Sequence, residues 1–425
     1  MDDSVLSSQF QAMRDAFARE GIFIEVAYTP SGRADYIYEA GRLLARADVV
    51  QRVADVLPGA EPVHRDEQPA AESLRVLSID GLRDGYLTVP QALDFLDRRL
   101  DVYNPAPDGG FPLITPVHIL HITQPSPDTA RTCPATEPEV PCCCAPDEPC
   151  GPCPPLAPDG GDGVVIGICD SGLLADHGSA PWLTDVNVTG DTDQLGPLLP
   201  GGLYAIPRYC GHGTFVAGVA RSQAPASTVY VSSDFVMSGG QREWVFVQKL
   251  QELIAGDPAP QVVNLSAGSY TRNDWLLLSF SAFDHGGITL TASAGNDATH
   301  RKFWPAAFDW AVGVGALGAD QRNRAWFSNY GDWVNVYTPG EGLVNAFATG
   351  EYTYQEPPKR PAVQIFDGRA RWSGTSFSAP LVAGLIAAQM SRTGASADAA
   401  TQALLTQASE QAIPDVGPVL FPRRP

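Results

Sequence analysis

The sequence predicts an α/β protein with a mostly parallel sheet and helices on both faces over residues 163–425, preceded by a small α+β domain over residues 1–123. In the C-terminal part, short apolar runs alternate with stretches of helical apolar spacing, which is typical of a parallel sheet covered by helices. Several of these runs end in glycine turns that carry polar side chains. The length of 425 residues, with 44% hydrophobic residues, is enough for about two or three domains with a sizeable core.

The N-terminal part alternates between strand-like and helix-like segments. The predicted elements are a helix over 10–20, a strand over 22–28, a helix over 42–57, a strand over 74–79, a helix over 89–100 and a strand over 117–122. The apolar residues of 42–57 recur at helical spacing, whereas those of 22–28 alternate. This order predicts a compact domain in which a sheet packs on helices.

A proline-rich segment without periodicity, residues 124–162, separates the two parts and predicts a linker. It holds six of the eight cysteines: Cys133, Cys142, Cys143, Cys144, Cys150 and Cys153. Zinc sites use two Cys pairs, or a pair with histidines, and this segment has one clean C-x-x-C, at 150–153. A metal site, loop disulfides and a surface tether therefore all stay open. An exposed proline-rich linker is also where a protease would cut.

The C-terminal part begins with a buried strand that ends in a carboxylate and a glycine turn. The further predicted elements are a helix from 212, a strand over 228–233, a helix over 243–255, a strand over 260–268, a helix over 275–283, a strand over 287–296 and a helix after 380. Residues 341–371 are longer and more polar than a connection needs, and we interpret them as an insertion, a lid or an exosite. Ligands of open α/β sheets bind at the carboxyl ends of strands, where the marked residues fall.

Ser376 stands where a glycine-containing loop enters an apolar helix. A helix N-terminus presents unpaired N–H groups and a partial positive charge, so a serine there is well placed to attack a carbonyl. The serine needs a base and a group that orients the base. His212, which follows a glycine at a helix start, and Asp170, at the end of a buried strand, are the candidates. A helix cap and a turn cap are the plain alternatives for these residues.

Three motifs carry a family resemblance: D-S-G at 170–172, H-G-T-x-V-A-G at 212–218 and S-G-T-S-x-x-x-P at 373–380. Their order and spacing resemble the subtilisin-like serine proteases, or subtilases, over about residues 163–390. The resemblance implies a serine endopeptidase that forms an acyl-enzyme on Ser376, with His212 as general base and Asp170 as its orienting carboxylate. The segment 293–296 resembles the A-A-G-N segment of the family and implies that Asn296 donates to the oxyanion.

The resemblance also implies that a peptide binds as an extended strand between the edges 236–239 and 265–268. The residues expected to contact substrate are Met237, Ser238, Gly239, Ser266, Ala267, Gly268, Ala294 and Gly295. Because most of them are small, we expect an open pocket that accepts a large apolar residue before the cleaved bond. A polypeptide substrate is the expected partner. The rival hypothesis is a catalytically silent peptide-binding or scaffold protein on the same fold.

Subtilases often carry an N-terminal prodomain that assists folding and inhibits the enzyme until it is cleaved. The resemblance of residues 1–123 to such a domain is one of position and pattern. An intramolecular inhibitor and a regulatory or adaptor domain are therefore both kept as hypotheses.

The formal net charge of −20 argues against non-specific binding to nucleic acid and to anionic membranes. The first residues lack a basic segment followed by an apolar one, so a cytoplasmic location is the default expectation. The predicted chemistry requires no cofactor and no metal. Acidic residues are scattered, and no run of them specifies a calcium loop.

Overall fold

In the computed structural model, residues 8–81, 87–100, 110–122, 136–141, 160–177, 183, 186–235, 238–356 and 358–423 are described. Among them, no helix is long and apolar enough to cross a membrane. The predicted linker cysteines and Met237 lie outside the described residues.

The N-terminal residues form an antiparallel sheet with helices against it. Its elements are α1 (Ser8–Arg19), β1 (Ile24–Tyr28), β2 (Ala34–Arg46), α2 (Val50–Val56), β3 (Glu61–Pro62), β4 (Leu74–Ser78), α3 (Val89–Leu100) and β5 (Ile114–His121). Strand β2 is the hub, because β1, β4 and β5 all pair with it in antiparallel register. The apolar residues of α2 and α3 pack against one face of this sheet and form a core of their own.

The C-terminal residues form the predicted parallel sheet. Its strands run in the order β15 (Val336–Pro339), β14 (Ala311–Leu317), β13 (Thr289–Ser293), β12 (Val262–Leu265), β6 (Val165–Asp170), β10 (Thr228–Ser233) and β8 (Val188–Gly190). Every pairing in this order is parallel. The predicted fold class is therefore confirmed.

Helices cover both faces of the parallel sheet. Helices α4 (His212–Gln223) and α6 (Thr375–Thr393) pack against each other and bury one face, where Ile166 and Ile168 point. Helix α5 (Glu243–Ile254) covers the other face, where Val263 and Leu265 point. Helix α7 (Ala397–Glu410) packs on α6 at the C-terminal end of the chain. This two-layer burial explains why the strands read as continuous apolar runs.

Three shorter strands and a long hairpin complete the fold. Strand β7 (Leu173–Leu174) pairs with β9 (Thr192–Asp193), and β11 (Gly240–Arg242) precedes α5. Strands β16 (Leu343–Thr353) and β17 (Val363–Trp372) form an antiparallel hairpin that leads into Ser376. The hairpin occupies the segment that the sequence marked as an insertion. Its role as a lid or an exosite stays a prediction.

Two predicted helices are wrong. Residues 42–46 belong to strand β2, and only Val50–Val56 forms an α-helix, because nearly every side chain from Tyr36 to Ala45 is buried or half-buried and hides the alternation of a strand. Residues 275–283 form no α-helix: a short 3₁₀ turn covers Leu278–Ala282. Their apolar side chains pack as a loop under α5, so tertiary burial explains the apolar spacing.

The two parts of the chain share one sheet. Strand β11 of the C-terminal part pairs with β5 of the N-terminal part in antiparallel register, Gly240 opposite His121 and Arg242 opposite Ile119. Helix α1 lies so close to β11 that a Cβ atom on Gly240 would stand 2.5 Å from the Met13 sulfur and 2.8 Å from Phe17. A side chain at this position would therefore have to displace Met13 and Phe17 where the two parts meet. The predicted domain boundaries themselves stay a prediction.

Candidate active site

Asp170 and His212 meet at the carboxyl end of β6. Asp170 is the last residue of the strand, and its Oδ1 lies 2.7 Å from Nδ1 of His212, the first residue of α4. The same oxygen accepts a hydrogen bond of 2.8 Å from the backbone N–H of Ser171. Both side chains are fully buried. The carboxylate thus fixes the orientation of the imidazole ring and leaves Nε2 on the far side, where it has no hydrogen-bond partner among the described residues.

Ser376 is the second residue of α6, as predicted, and is buried. Its hydroxyl donates to the backbone oxygen of Ser266 at 3.4 Å, and the Ser266 hydroxyl donates to the backbone oxygen of Ser376 at 2.7 Å. The serine hydroxyl is therefore turned toward the end of β12 and forms no hydrogen bond with His212. Catalytic hydrogen bonds often form only with substrate bound.

Asn296 follows β13 and is tied to the start of α6. Its Oδ1 accepts from the backbone N–H and from the hydroxyl of Thr375, both at 2.9 Å. The Thr375 hydroxyl in turn accepts from the backbone N–H of Gly295 at 3.1 Å. Because Thr375 holds the oxygen of the amide, the orientation of the side chain is set, with the NH₂ group as its donor end. Asn296 is thus bonded to the residue immediately before Ser376, and its role as an oxyanion donor stays a prediction.

Asp193 braces the turn that carries His212, and the sequence analysis missed it. Its Oδ2 accepts from the Gly211 N–H at 2.7 Å and from the Ser171 hydroxyl at 2.9 Å. The Ser171 oxygen accepts from the Gly213 N–H at 3.0 Å. Burial raises the pKa of Asp193 to about 6. No sequence motif marks this residue, because it comes from β9, far from the histidine along the chain.

Aromatic rings form the wall behind His212. The ring of Trp372 stands edge-on to the imidazole with centroids 5.5 Å apart, and the ring of Phe377 lies 5.4 Å away. Phe215, one turn along α4, packs on both of them. Such packing excludes water from the Asp170–His212 pair and holds the ring in place. Trp372 could have been found from its place four residues before Ser376.

The two predicted edges of the substrate cleft enclose the end of β5. The His121 N–H donates to the Gly268 oxygen at 2.9 Å, and the Gly268 N–H donates to the His121 oxygen at 3.1 Å. On the other side, the Ile122 N–H donates to the Gly239 oxygen at 2.8 Å. An extended segment of this chain therefore lies between the edges as a third strand.

The other residues predicted to contact substrate lie around these edges. Ser266, Ala267, Ala294 and Gly295 are buried, whereas Ser238 and Gly239 precede β11 with positive φ angles. Asn329 braces the 294–299 loop: its Nδ2 donates to the Ala294 oxygen at 2.8 Å, and its Oδ1 accepts from the Asp297 N–H at 3.0 Å. Sequence reasoning did not find Asn329. Met237 lies outside the described residues.

Within the part of the chain that the structure describes, no group of three or more His, Cys, Asp or Glu side chains is arranged to hold a metal. The described cysteines, Cys169 and Cys210, are buried and unpaired with each other, and burial raises the pKa of each thiol. Independence from cofactors stays a prediction.

The fold and the site together define an α/β protein of the subtilisin-like class. Residues 161–419 match the family described as the subtilase family. This match covers more than half of the chain, and the chain belongs to the subtilase family.

Known relatives agree with this assignment. The chain is 30% identical over 187 residues to a thermophilic serine proteinase of Bacillus sp. (strain AK1), which covers 41% of each protein. It is 30% identical over 255 residues to a subtilisin-like protease of Coccidioides posadasii (54% of this chain, 45% of the relative), and 26% identical over 245 residues to subtilisin DY of Bacillus licheniformis (55% and 78%). The chain thus spans less than half the length of the first two relatives.

One solved structure resembles nearly the whole chain. Fervidolysin from Fervidobacterium pennivorans, a keratinolytic enzyme related to subtilisin, superposes with a TM-score of 0.54 and 16% sequence identity. The match covers 93% of this chain and 61% of that one. At this identity the likeness concerns the fold.

Proposed function

We propose that this protein is a serine endopeptidase that cleaves polypeptides through an acyl-enzyme on Ser376. The observation that carries the proposal is the buried 2.7 Å contact between Asp170 and His212, which lies beside a serine at a helix N-terminus. Family membership and the protease relatives support the same activity.

Each residue has a defined step in the proposed reaction. His212 Nε2 takes the proton of the Ser376 hydroxyl as Oγ attacks the peptide carbonyl, and Asp170 stabilises the imidazolium that forms. The Asn296 NH₂ group and the Ser376 N–H donate to the oxyanion. His212 then gives the proton to the leaving amine. Water, deprotonated by the same histidine, hydrolyses the acyl-enzyme.

We further propose that the N-terminal part is an intramolecular inhibitor. Residues 119–122 pair with both edges of the cleft as a substrate strand would, and main-chain pairing of this kind supplies affinity with little regard to side chains. A peptide cannot occupy the same two edges while β5 is there. Because Ile122 pairs with the cleft edges as a substrate residue would, we expect cleavage on its C-terminal side to end the inhibition.

Polar contacts outside the cleft also hold the N-terminal part against the peptidase part, and the central one is buried. Glu243, at the start of α5, has one carboxylate oxygen 2.9 Å from both the backbone N and the Nδ1 of His118 in β5. Its other oxygen accepts from the Ser279 hydroxyl at 2.8 Å. Around it, Arg272 pairs with Asp97 at 3.0 Å and Arg301 pairs with Asp35 at 2.8 Å. Charge-assisted contacts across the interface favour one docked geometry.

The test is intact mass and N-terminal sequencing of the purified wild type beside Ser376→Ala, followed over hours, with a fluorophosphonate probe for the serine. Ser378→Ala is the matched control, because Ser378 lies in the same helix and its hydroxyl bonds to the Thr338 oxygen. We expect only chains with Ser376 to react with the probe and to lose the N-terminal part.

Each other result has a definite meaning. Reaction with the probe without shortening would support a live protease whose N-terminal domain is regulatory and retained. A wild type that neither shortens nor reacts would contradict the protease proposal and favour the silent peptide-binding protein.

A further inference from the structure

Residues 136–141, inside the predicted linker, lie against strand β17 of the hairpin, where Glu139 forms an isolated antiparallel bridge with Arg371. The Glu139 N–H donates to the Arg371 oxygen at 2.9 Å, and the Arg371 N–H donates to the Glu139 oxygen at 2.7 Å. Pro138 is buried, and Val140 packs against the main core. The hairpin thus binds this short segment through main-chain pairing of the kind used in strand addition.

The segment is held by its first glutamate. Glu137 Oε1 accepts from the Tyr352 hydroxyl at 2.9 Å and from the Gln355 N–H at 2.8 Å, and its Oε2 accepts from the Glu356 N–H at 3.1 Å. Burial, followed by the charge of Glu137, raises the pKa of Tyr352, so the hydroxyl keeps its proton as a donor. Three converging donors form a carboxylate site, since hydrogen bonds to charged groups are the strong ones.

The neighbouring groups make this site selective for an extended acidic segment. The Tyr354 hydroxyl donates to the Pro138 oxygen at 3.0 Å, and Lys359 pairs with Glu139 at the surface. The hairpin and its loop therefore bind the main chain of Glu137-Pro138-Glu139 and both of its carboxylates. A neutral extended segment would leave the donors around Glu137 without an acceptor.

The site lies next to the catalytic residues. The Trp372 indole N–H donates to the Thr136 oxygen at 2.6 Å, and the same ring stands edge-on to His212. The chain therefore touches the peptidase part on both sides of residues 123–135, with Ile122 in the cleft and Thr136 beside the wall of the histidine. The 13 residues 123–135 connect Ile122 to Thr136. If residues 136–141 were not bound to the hairpin, the 37 residues 123–159 would connect Ile122 to Gly160, the next described residue.

We propose that the β16–β17 hairpin is a second docking site for an acidic extended peptide, and that residues 136–141 occupy it as an anchor that shortens the tether of the inhibitory N-terminal part. This inference rests on the proposed inhibition. The effective concentration of a tethered group falls roughly as the −3/2 power of tether length, so shortening 37 residues to 13 strengthens cleft docking by about fivefold. Cleavage in residues 123–135 leaves the anchor on the peptidase and ends this tethering.

The test uses hydrogen exchange of single amides in the full chain with Ser376→Ala, which cannot process itself. Glu137→Ala should lower the protection of the Glu139 and Arg371 amides by about tenfold or more, because charge-assisted bonds are lost. It should also lower the protection of the Ile122 amide by about fivefold. Asp367→Ala, which removes an exposed carboxylate from strand β17 of the same hairpin, is the matched control and should leave the protection of the Ile122 amide unchanged.

The outcomes separate the two proposals. Tyr352→Phe, which removes one donor from the carboxylate site, should act in the same direction as Glu137→Ala, and unchanged amides of α6 would show that either variant is folded. If Glu139 loses protection and Ile122 does not, the anchor has no effect on inhibition and this inference is overturned. If the Ile122 amide is unprotected in the parent, cleft docking itself is contradicted, and the inhibitor proposal fails with it.

Discussion

Acid should loosen the N-terminal part from the cleft through His121. This residue of β5 lies between the cleft edges, is 2% exposed, and its Nδ1 has no hydrogen-bond partner among the described residues. Burial lowers the pKa of His121 to about 3. Asp35 and Tyr270 line the same small cavity, and the carboxylate of Asp35 is paired with Arg301.

The sign of the effect follows from the direction of this pKa shift. The docked state requires neutral His121, whereas the ring is in water once β5 leaves the cleft and has an ordinary pKa near 6.5. The contribution of the neutral ring to docking is therefore fully present above about pH 6.5 and is lost as the pH falls toward 3. Between pH 7 and pH 5 the docking free energy should drop by about 2 kcal/mol, roughly 25-fold in the docking equilibrium. Because pH 5 lies well above 3, this figure depends mainly on the pKa of the undocked ring.

The assay is the protection factor of the Ile122 and Gly268 amides in Ser376→Ala, measured at pH 7 and pH 5 and corrected for intrinsic exchange. His121→Phe keeps a ring of similar size and removes the titration, so its protection factors should change far less between the two pH values. His118, the other histidine of β5, is present in both proteins, and their difference isolates His121. Equal protection at both pH values in the parent would refute the reasoning.

Three further predictions concern the site itself. Asp170→Asn should lower kcat by about 10⁴-fold with little change in KM, because the amide holds the wrong tautomer of His212. Steady-state kinetics measure both constants, and a loss of kcat below tenfold would contradict the triad. Asn296→Ala should lower kcat by about 10²–10³-fold, and an equal rise in KM instead would assign the residue to binding. Asp193→Ala should destabilise the fold by about 1–3 kcal/mol in denaturant unfolding, because the Gly211 N–H loses its acceptor, and an unchanged midpoint would show that water replaces it.

The sequence by itself determined the elements that carry the chemistry. Strand β6 ends at Asp170, α4 begins at His212 and α6 begins around Ser376, as the local patterns predicted. Each of these features is written in a few adjacent residues: an apolar run, a glycine turn and a row of small helix residues. The carboxyl ends of parallel strands lie at one edge of the sheet, so the sequence places Asp170 at the edge where ligands of open α/β sheets bind.

Local apolar patterns gave the wrong secondary structure in two segments whose side chains are largely buried. The apolar residues at 42–46 lie in a strand covered on both faces, and those at 275–283 lie in a loop packed under α5. In both segments the spacing of apolar residues matched a helix, but the neighbours in space decided the conformation. The contact of Asp193 with the His212 turn escaped detection for a similar reason, because a brace from a distant strand leaves no mark near the motif.

Only the tertiary structure decided how the two parts of the chain meet. The pairing of β5 with β11, and of Glu139 with Arg371, joins residues more than a hundred positions apart through backbone groups that every sequence possesses. Main-chain hydrogen bonds do not depend on the identity of the side chains. No sequence motif therefore predicts that residues 119–122 lie in the cleft or that Glu137 accepts from three donors. The sequence determined which residues can do the chemistry, and long-range packing decided which segment of the chain lies against them.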